Sequence, residues 1–148
     1  MKKMPLILAG ALALGAAFSA SADQFEDAIA ARKAAFVLIK SNFGPMGAMV
    51  EGKMPFDKEA FAKRAANLSA LAGMPWEHFI EGSDMGETKA KPEVWSKAAD
   101  YKAEVDKFEA AVAKLALVAK SGDENAIKAE FGAAAKTCKS CHTDFKNK

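Results

Sequence analysis

The chain has 148 residues, 51% of them hydrophobic and 27% charged, with a formal net charge of +2. This length and composition suit a single globular domain and exclude a disordered or fibrous chain. The excess charge is that of Lys2 and Lys3 alone, so the remainder is balanced and nothing in it points to nucleic acid or an anionic membrane surface as a partner.

Lys2 and Lys3 form a positive n-region, Leu6–Phe18 is an apolar run interrupted only by small residues, and Ser19-Ala20-Ser21-Ala22 ends in a small-x-small pattern. These are the parts of a secretory signal peptide, residues 1–22, cut after Ala22. The run is shorter than the roughly 20 apolar residues of a spanning helix, so a membrane anchor is the poorer reading. The mature chain is expected to begin at Asp23, to be exported to a periplasm-like space without membrane insertion, and to form one domain over 23–148.

No later run alternates like a strand, and the rest reads as all-α. A first helix from about Phe25 to Phe43 carries Phe25, Ile29, Arg32, Phe36, Ile39 and Phe43 at steps of four and three. Gly44-Pro45 is expected to break or kink it, with Met46, Met49 and Val50 on a bent extension. A second helix, capped by Asp57, places Phe61, Ala65, Leu68 and Ala72 on one face and stops at Gly73 and Pro75. The stretch Gly73–Lys91 is long for a connection, holds Trp76, His78 and Phe79, and is expected to lie over a functional site.

A third helix begins at Pro92 and carries one unbroken stripe, Val94, Ala98, Tyr101, Val105, Phe108, Val112, Leu115 and Ala119. Ser121-Gly122-Asp123 ends it and caps the next, so the fourth helix is expected to run antiparallel to it, with Ile127, Phe131, Ala134, Cys138, Cys141 and Phe145 inward. Four stripes near a 3.5-residue period predict an antiparallel four-helix bundle.

Near the end stands Cys138-Lys139-Ser140-Cys141-His142, which holds both cysteines of the chain. C-x-x-C-H is the pattern of covalent haem c attachment: two thiols bond the porphyrin vinyl groups and the adjacent imidazole reaches the iron. Cys138, Cys141 and His142 are spaced i, i+3 and i+4, so all three share one helix face, the continuation of the apolar stripe. A disulfide would be poorly spaced within a helix. A thioredoxin-like pair needs a preceding strand, and a zinc site needs a fourth ligand. The prediction is one covalent haem near the C-terminus, inside the bundle, with His142 as the metal ligand.

Together these landmarks resemble the class II c-type cytochromes, in particular the cytochrome c′ family. The resemblance rests on Arg32 in mid-helix, Phe43-Gly44, Met74-Pro75-Trp76, Lys91-Pro92-Glu93-Val94-Trp95 and the C-terminal motif. It implies that Arg32 lies beside the haem propionates and that Phe36 covers the distal side of the iron, where several relatives carry Leu. Lys33, Glu87, Thr88 and Lys89 are weaker candidates for the haem edge, which ordinary solvated charges would explain equally well. Lys146 stands where many relatives have a basic residue, often Arg, and Lys cannot make the forked contacts of Arg. A homodimer through the first two helices is also implied, and Ala30, Ala31 and Ala34 would permit it.

The mature chain offers no methionine before Met46, so the first helix supplies no sixth ligand. The expectation is a five-coordinate, high-spin iron with an apolar distal pocket that admits nitric oxide or carbon monoxide and gives bound dioxygen no hydrogen bond. The alternative is a one-electron carrier between periplasmic redox partners. No distal His and Arg pair suited to cleaving peroxide is present, so an enzyme is not expected.

Overall fold

The computed structural model describes the backbone of residues 12–148 and the side chains of 23–148. The expected signal peptide and its cleavage point therefore lie outside the fully described residues. The described residues form α1 (Leu12–Val50), α2 (Lys58–Leu71), a 3₁₀ turn (Trp76–His78), α3 (Glu93–Ser96), α4 (Ala98–Ala119) and α5 (Glu124–Phe145). Four of these, α1, α2, α4 and α5, make the bundle, with α4 packed along both α5 and α2. Among the described residues no helix is long and apolar enough to cross a membrane.

The apolar stripes read from the sequence are the faces that meet. Phe61, Ala65 and Leu68 of α2, Phe108, Val112 and Leu115 of α4, and Ile127, Phe131 and Ala134 of α5 are buried together. Asp57 caps α2 by accepting from the Ala60 amide at 2.9 Å, and Asp123 caps α5 by accepting from the Ala126 amide at 2.7 Å. Between α4 and α5 the chain reverses at Gly122, whose φ of 73° a side chain would oppose.

Three boundaries differ from expectation, the first being the start of α1, which lies at Leu12 and not near Phe25. Pro45 does not end the first helix: α1 runs through it to Val50, and Met46 and Met49 are buried in the core. Proline lacks the amide that would bond the carbonyl four residues back, which is that of Ser41. The Arg64 guanidinium of α2 donates to that carbonyl at 3.3 Å, so the orphaned acceptor is satisfied from the neighbouring helix.

The third stripe is not one helix. It is interrupted at Lys97, whose φ of −120° and ψ of 46° leave the helical region, dividing α3 from α4. An unbroken helix would turn Ala98 inward beneath Val94, but Val94 is buried and Ala98 exposed. The break resets the phase of the stripe. It also lets the Trp95 indole donate to the Phe79 carbonyl at 3.0 Å, anchoring the connection that precedes it.

These roles set different scales of loss. Phe61, wholly buried between the helices, should cost about 3–5 kcal/mol as Phe61→Ala. Asp57→Ala removes only the cap and should cost about 1 kcal/mol. Urea unfolding followed by far-UV dichroism would measure both, and equal losses would contradict this division.

Candidate functional site

The bundle does not close along its whole length. Where α1 meets α5, Phe43 stacks on Phe131 with centroids 4.4 Å apart. A Cβ on Gly47 would come within 3.3 Å of the Phe131 ring, which would have to shift by a few tenths of an ångström to admit one. Beyond this contact a cavity of about 450 Å³ separates the two helices, a size within the range of cofactor pockets.

Its walls come from four directions. Arg32, Phe36, Ile39, Lys40, Phe43 and Gly44 of α1 form one, and Thr137, Cys138, Cys141, His142 and Phe145 of α5 face it. Tyr101, Glu104 and Phe108 of α4 and Trp76, Phe79, Thr88, Lys89 and Ala90 of the long connection complete it. Cys138, Cys141 and His142 thus share one wall of one cavity, as their helical spacing predicts.

Burial pushes the Cys138 thiol up and the Cys141 thiol up to about 11, so both are protonated at neutral pH. Burial, and then the Lys146 ammonium, push the His142 imidazole down, favouring the neutral form that ligates metal. That linkage has a sign: a lowered imidazole pKa keeps the ring neutral to more acidic pH than free histidine.

Arg32 is buried, as its place on the stripe suggests, but its partners are neutral. Nη1 donates to the Ser83 hydroxyl at 2.6 Å and the His78 carbonyl at 3.1 Å. Nη2 donates to the Ser83 carbonyl at 2.6 Å and the Thr88 hydroxyl at 2.8 Å. The guanidinium also lies 4.6 Å from the Phe79 ring centroid. All four Nη hydrogens are committed to the connection, so toward an anion in the cavity Arg32 offers its charge and the Nε–H.

Phe36 lies at the junction of α1 with the connection, its ring 5.7 Å from Trp76 and 6.4 Å from Phe79, both edge-on. Thr88 and Lys89 line the cavity, whereas Lys33 and Glu87 do not. The Lys33 ammonium instead donates to the Glu87 carbonyl at 3.2 Å, outside the cavity wall. The connection is tied to the end of α5 by two backbone bonds, Lys91 amide to Phe145 carbonyl at 3.0 Å and Asn147 amide to Lys89 carbonyl at 2.8 Å. Lys146 lies within this tie and lines the cavity.

Whether these walls suit a haem can be judged from their polar atoms. Trp76 Nε1, Tyr101 Oη and Glu104 Oε2 are buried without a hydrogen-bond partner, and all three residues line this cavity. Orphaned polar atoms around an otherwise apolar space fit a large flat group with a polar periphery. Neither Glu104 nor Tyr101 is among the site residues expected from the sequence. The available signal was position: Glu104 lies three residues after Tyr101 and four before Phe108, which puts an acid on the buried face of α4.

The Cytochrome C' family profile matches residues 27–146. A cytochrome c' from Rubrivivax gelatinosus is 48% identical over 123 residues, covering 82% of this chain and 95% of that protein. The structure of cytochrome c prime from Shewanella frigidimarina superposes with a TM-score of 0.82 at 47% identity, covering 84% of this chain and 97% of that one. Nitric oxide and carbon monoxide complexes of variants of cytochrome c prime from Alcaligenes xylosoxidans each superpose at 0.78 and 35% identity, covering 84% of this chain. They cover 96% and 97% of those chains.

Arg32→Leu should leave the buried Ser83 hydroxyl and carbonyl unpaired and cost about 1–3 kcal/mol. Arg32→Lys should recover little of it, since one ammonium cannot span both sides of the fork. Hydrogen exchange of the 78–88 amides would report the loosening, and protection equal to the parent in Arg32→Leu would show that Arg32 does not brace this segment.

Proposed function

The chain belongs to the cytochrome c′ family, and on that premise we propose that it is a periplasmic haem c protein binding nitric oxide or carbon monoxide at a five-coordinate iron. The observation that carries this reading is the single cavity wall shared by Cys138, Cys141 and His142, faced by Phe36, Ile39 and Phe43 of α1. When bound, haem supplies a one-electron iron centre with a coordination position for a diatomic gas. Cys138 and Cys141 would hold its porphyrin through thioethers, and His142 would hold the iron.

The residues opposite set what else can reach the iron. Phe36, Ile39 and Phe43 present only hydrocarbon. The unpartnered donors Trp76 Nε1 and Tyr101 Oη belong to the connection and to α4. No methionine is among the described lining residues, and Met46 is wholly enclosed in the core, which supports an iron without a sulfur sixth ligand. Phe36 is the gate in this reading: its ring must turn aside for a gas to enter. Arg32, Thr88 and Lys89 are the candidates for the haem periphery, and Lys33 and Glu87 act on it only by bracing the connection.

Export by the N-terminal segment 1–22 belongs to this proposal, as does a homodimer. Val37 and Leu38 on α1 are 65% and 49% exposed beside Ala30 and Ala34, an apolar face suited to a second copy. A one-electron carrier is the second reading. It is favoured by the basic rim of Lys40, Lys89 and Lys146, exposed residues that line the cavity and suit an acidic redox partner.

Absorption spectra of the ferric and ferrous holoprotein, with and without each gas, separate the two readings. A high-spin spectrum that shifts with both gases is expected. A low-spin ferrous spectrum indifferent to both would make electron transfer the function. Phe36→Ala should bind carbon monoxide about tenfold faster, a barrier lowered by ~1.4 kcal/mol. An unchanged rate in stopped flow would remove Phe36 as the gate.

A further inference from the structure

Of the three unpartnered polar atoms at the cavity, two belong to neutral side chains and one to a carboxylate. Glu104 is 8% exposed. Its Oε1 accepts from the Lys107 ammonium at 2.6 Å, while Oε2 completes no hydrogen bond. The Lys107 hydrogen bond holds its carboxyl below the usual carboxylate range. It is therefore a charge at neutral pH, not a buried acid.

A buried carboxylate with an idle oxygen is costly, and an apolar residue on this stripe would avoid the cost. The surroundings give it a use. The cavity wall carries Arg32, Lys40, Lys89 and Lys146, and among the described lining residues Glu104 is the only acid. Behind it a polar groove opens to solvent, lined by Lys91, Lys97 and Lys107 and by the acids Glu93, Asp100 and Asp144. Of these, Lys107 bonds the carboxylate directly and compensates its charge from outside. The Lys107 side chain is 62% exposed, so solvent takes up part of its charge and its compensation is partial.

We propose that Glu104 sets the reduction potential of the haem site, its fixed negative charge favouring ferric over ferrous iron. The couple is ferric haem plus one electron giving ferrous haem, so reduction adds one unit of negative charge to the cavity. A carboxylate in the wall opposes that gain, and the mostly apolar lining on the cavity side screens it less than water would. The inference rests on the haem reading but not on gas binding, because a potential can be measured whether or not the iron takes a gas.

The test is a mediated potentiometric titration of the holoprotein, reduced with dithionite and reoxidised with ferricyanide. Glu104→Gln should shift the ferrous-to-ferric ratio at fixed poise about tenfold toward ferrous, ~59 mV upward for a one-electron couple. Lys107→Gln should move the potential the other way, by uncovering the carboxylate. An unchanged or lowered potential in Glu104→Gln, with the parent's ferric spectrum intact, overturns the proposal. Should Glu104→Gln fail to retain haem, the exposed Lys107 decides: a fall in Lys107→Gln supports the proposal, and no change or a rise overturns it. A parent chain with no haem spectrum would instead defeat the reading on which the inference rests.

Discussion

The architecture turns on one contact and the divergence beyond it. Four amphipathic helices with matched stripes would ordinarily close on one another and leave no interior space. Here α1 and α5 touch through Phe43 and Phe131, with Gly47 permitting the approach, and then separate. The core of Phe61, Leu68, Val112, Leu115 and Ile127 fills the closed end, and the cavity occupies the open one. The Cys138–His142 segment lies on the far half of α5, so the divergence delivers the motif to a space and not to a packed interface.

An open end must still be held in shape without the packing that holds the closed end. Arg32 does much of this. Its four bonds to His78, Ser83 and Thr88 convert a long connection into a fixed wall. The backbone tie between Lys89–Lys91 and Phe145–Asn147 fastens the same segment to the end of α5. A neutral residue at position 32 could fill volume, but it could not reach four acceptors and also carry a positive charge to the cavity. The cost of burying a cation is offset by those acceptors and by the Phe79 face.

The stripes, both caps and the shared face of the motif were legible because each depends on local spacing or local hydrogen bonding. What was not legible depends on a neighbour. Pro45 breaks helices by rule, and only the placement of Arg64 against the Ser41 carbonyl explains why this one continues. The interruption at Lys97 was hidden because Val94 and Ala98 fit the stripe equally well on paper, whereas the Trp95 bond to Phe79 requires a different phase. Arg32 was read as buried, but the neutral partners that take its Nη hydrogens lie 46 to 56 residues away in sequence. Periodicity says which face a residue occupies, and it does not say what stands opposite.

Glu104 shows the same limit from the other side. Its spacing puts it on the inward face of α4, where a charge departs from the apolar pattern of the stripe. Local rules are broken where a fold gives up stability for a site. The breaches here cluster: the buried guanidinium of Arg32, the idle oxygen of Glu104, and the unpartnered Trp76 and Tyr101 all border one cavity. The core of the closed end, by contrast, is apolar throughout. Such a distribution argues that the polar exceptions answer to what the cavity holds, and that their charges, one positive on α1 and one negative on α4, act on it together.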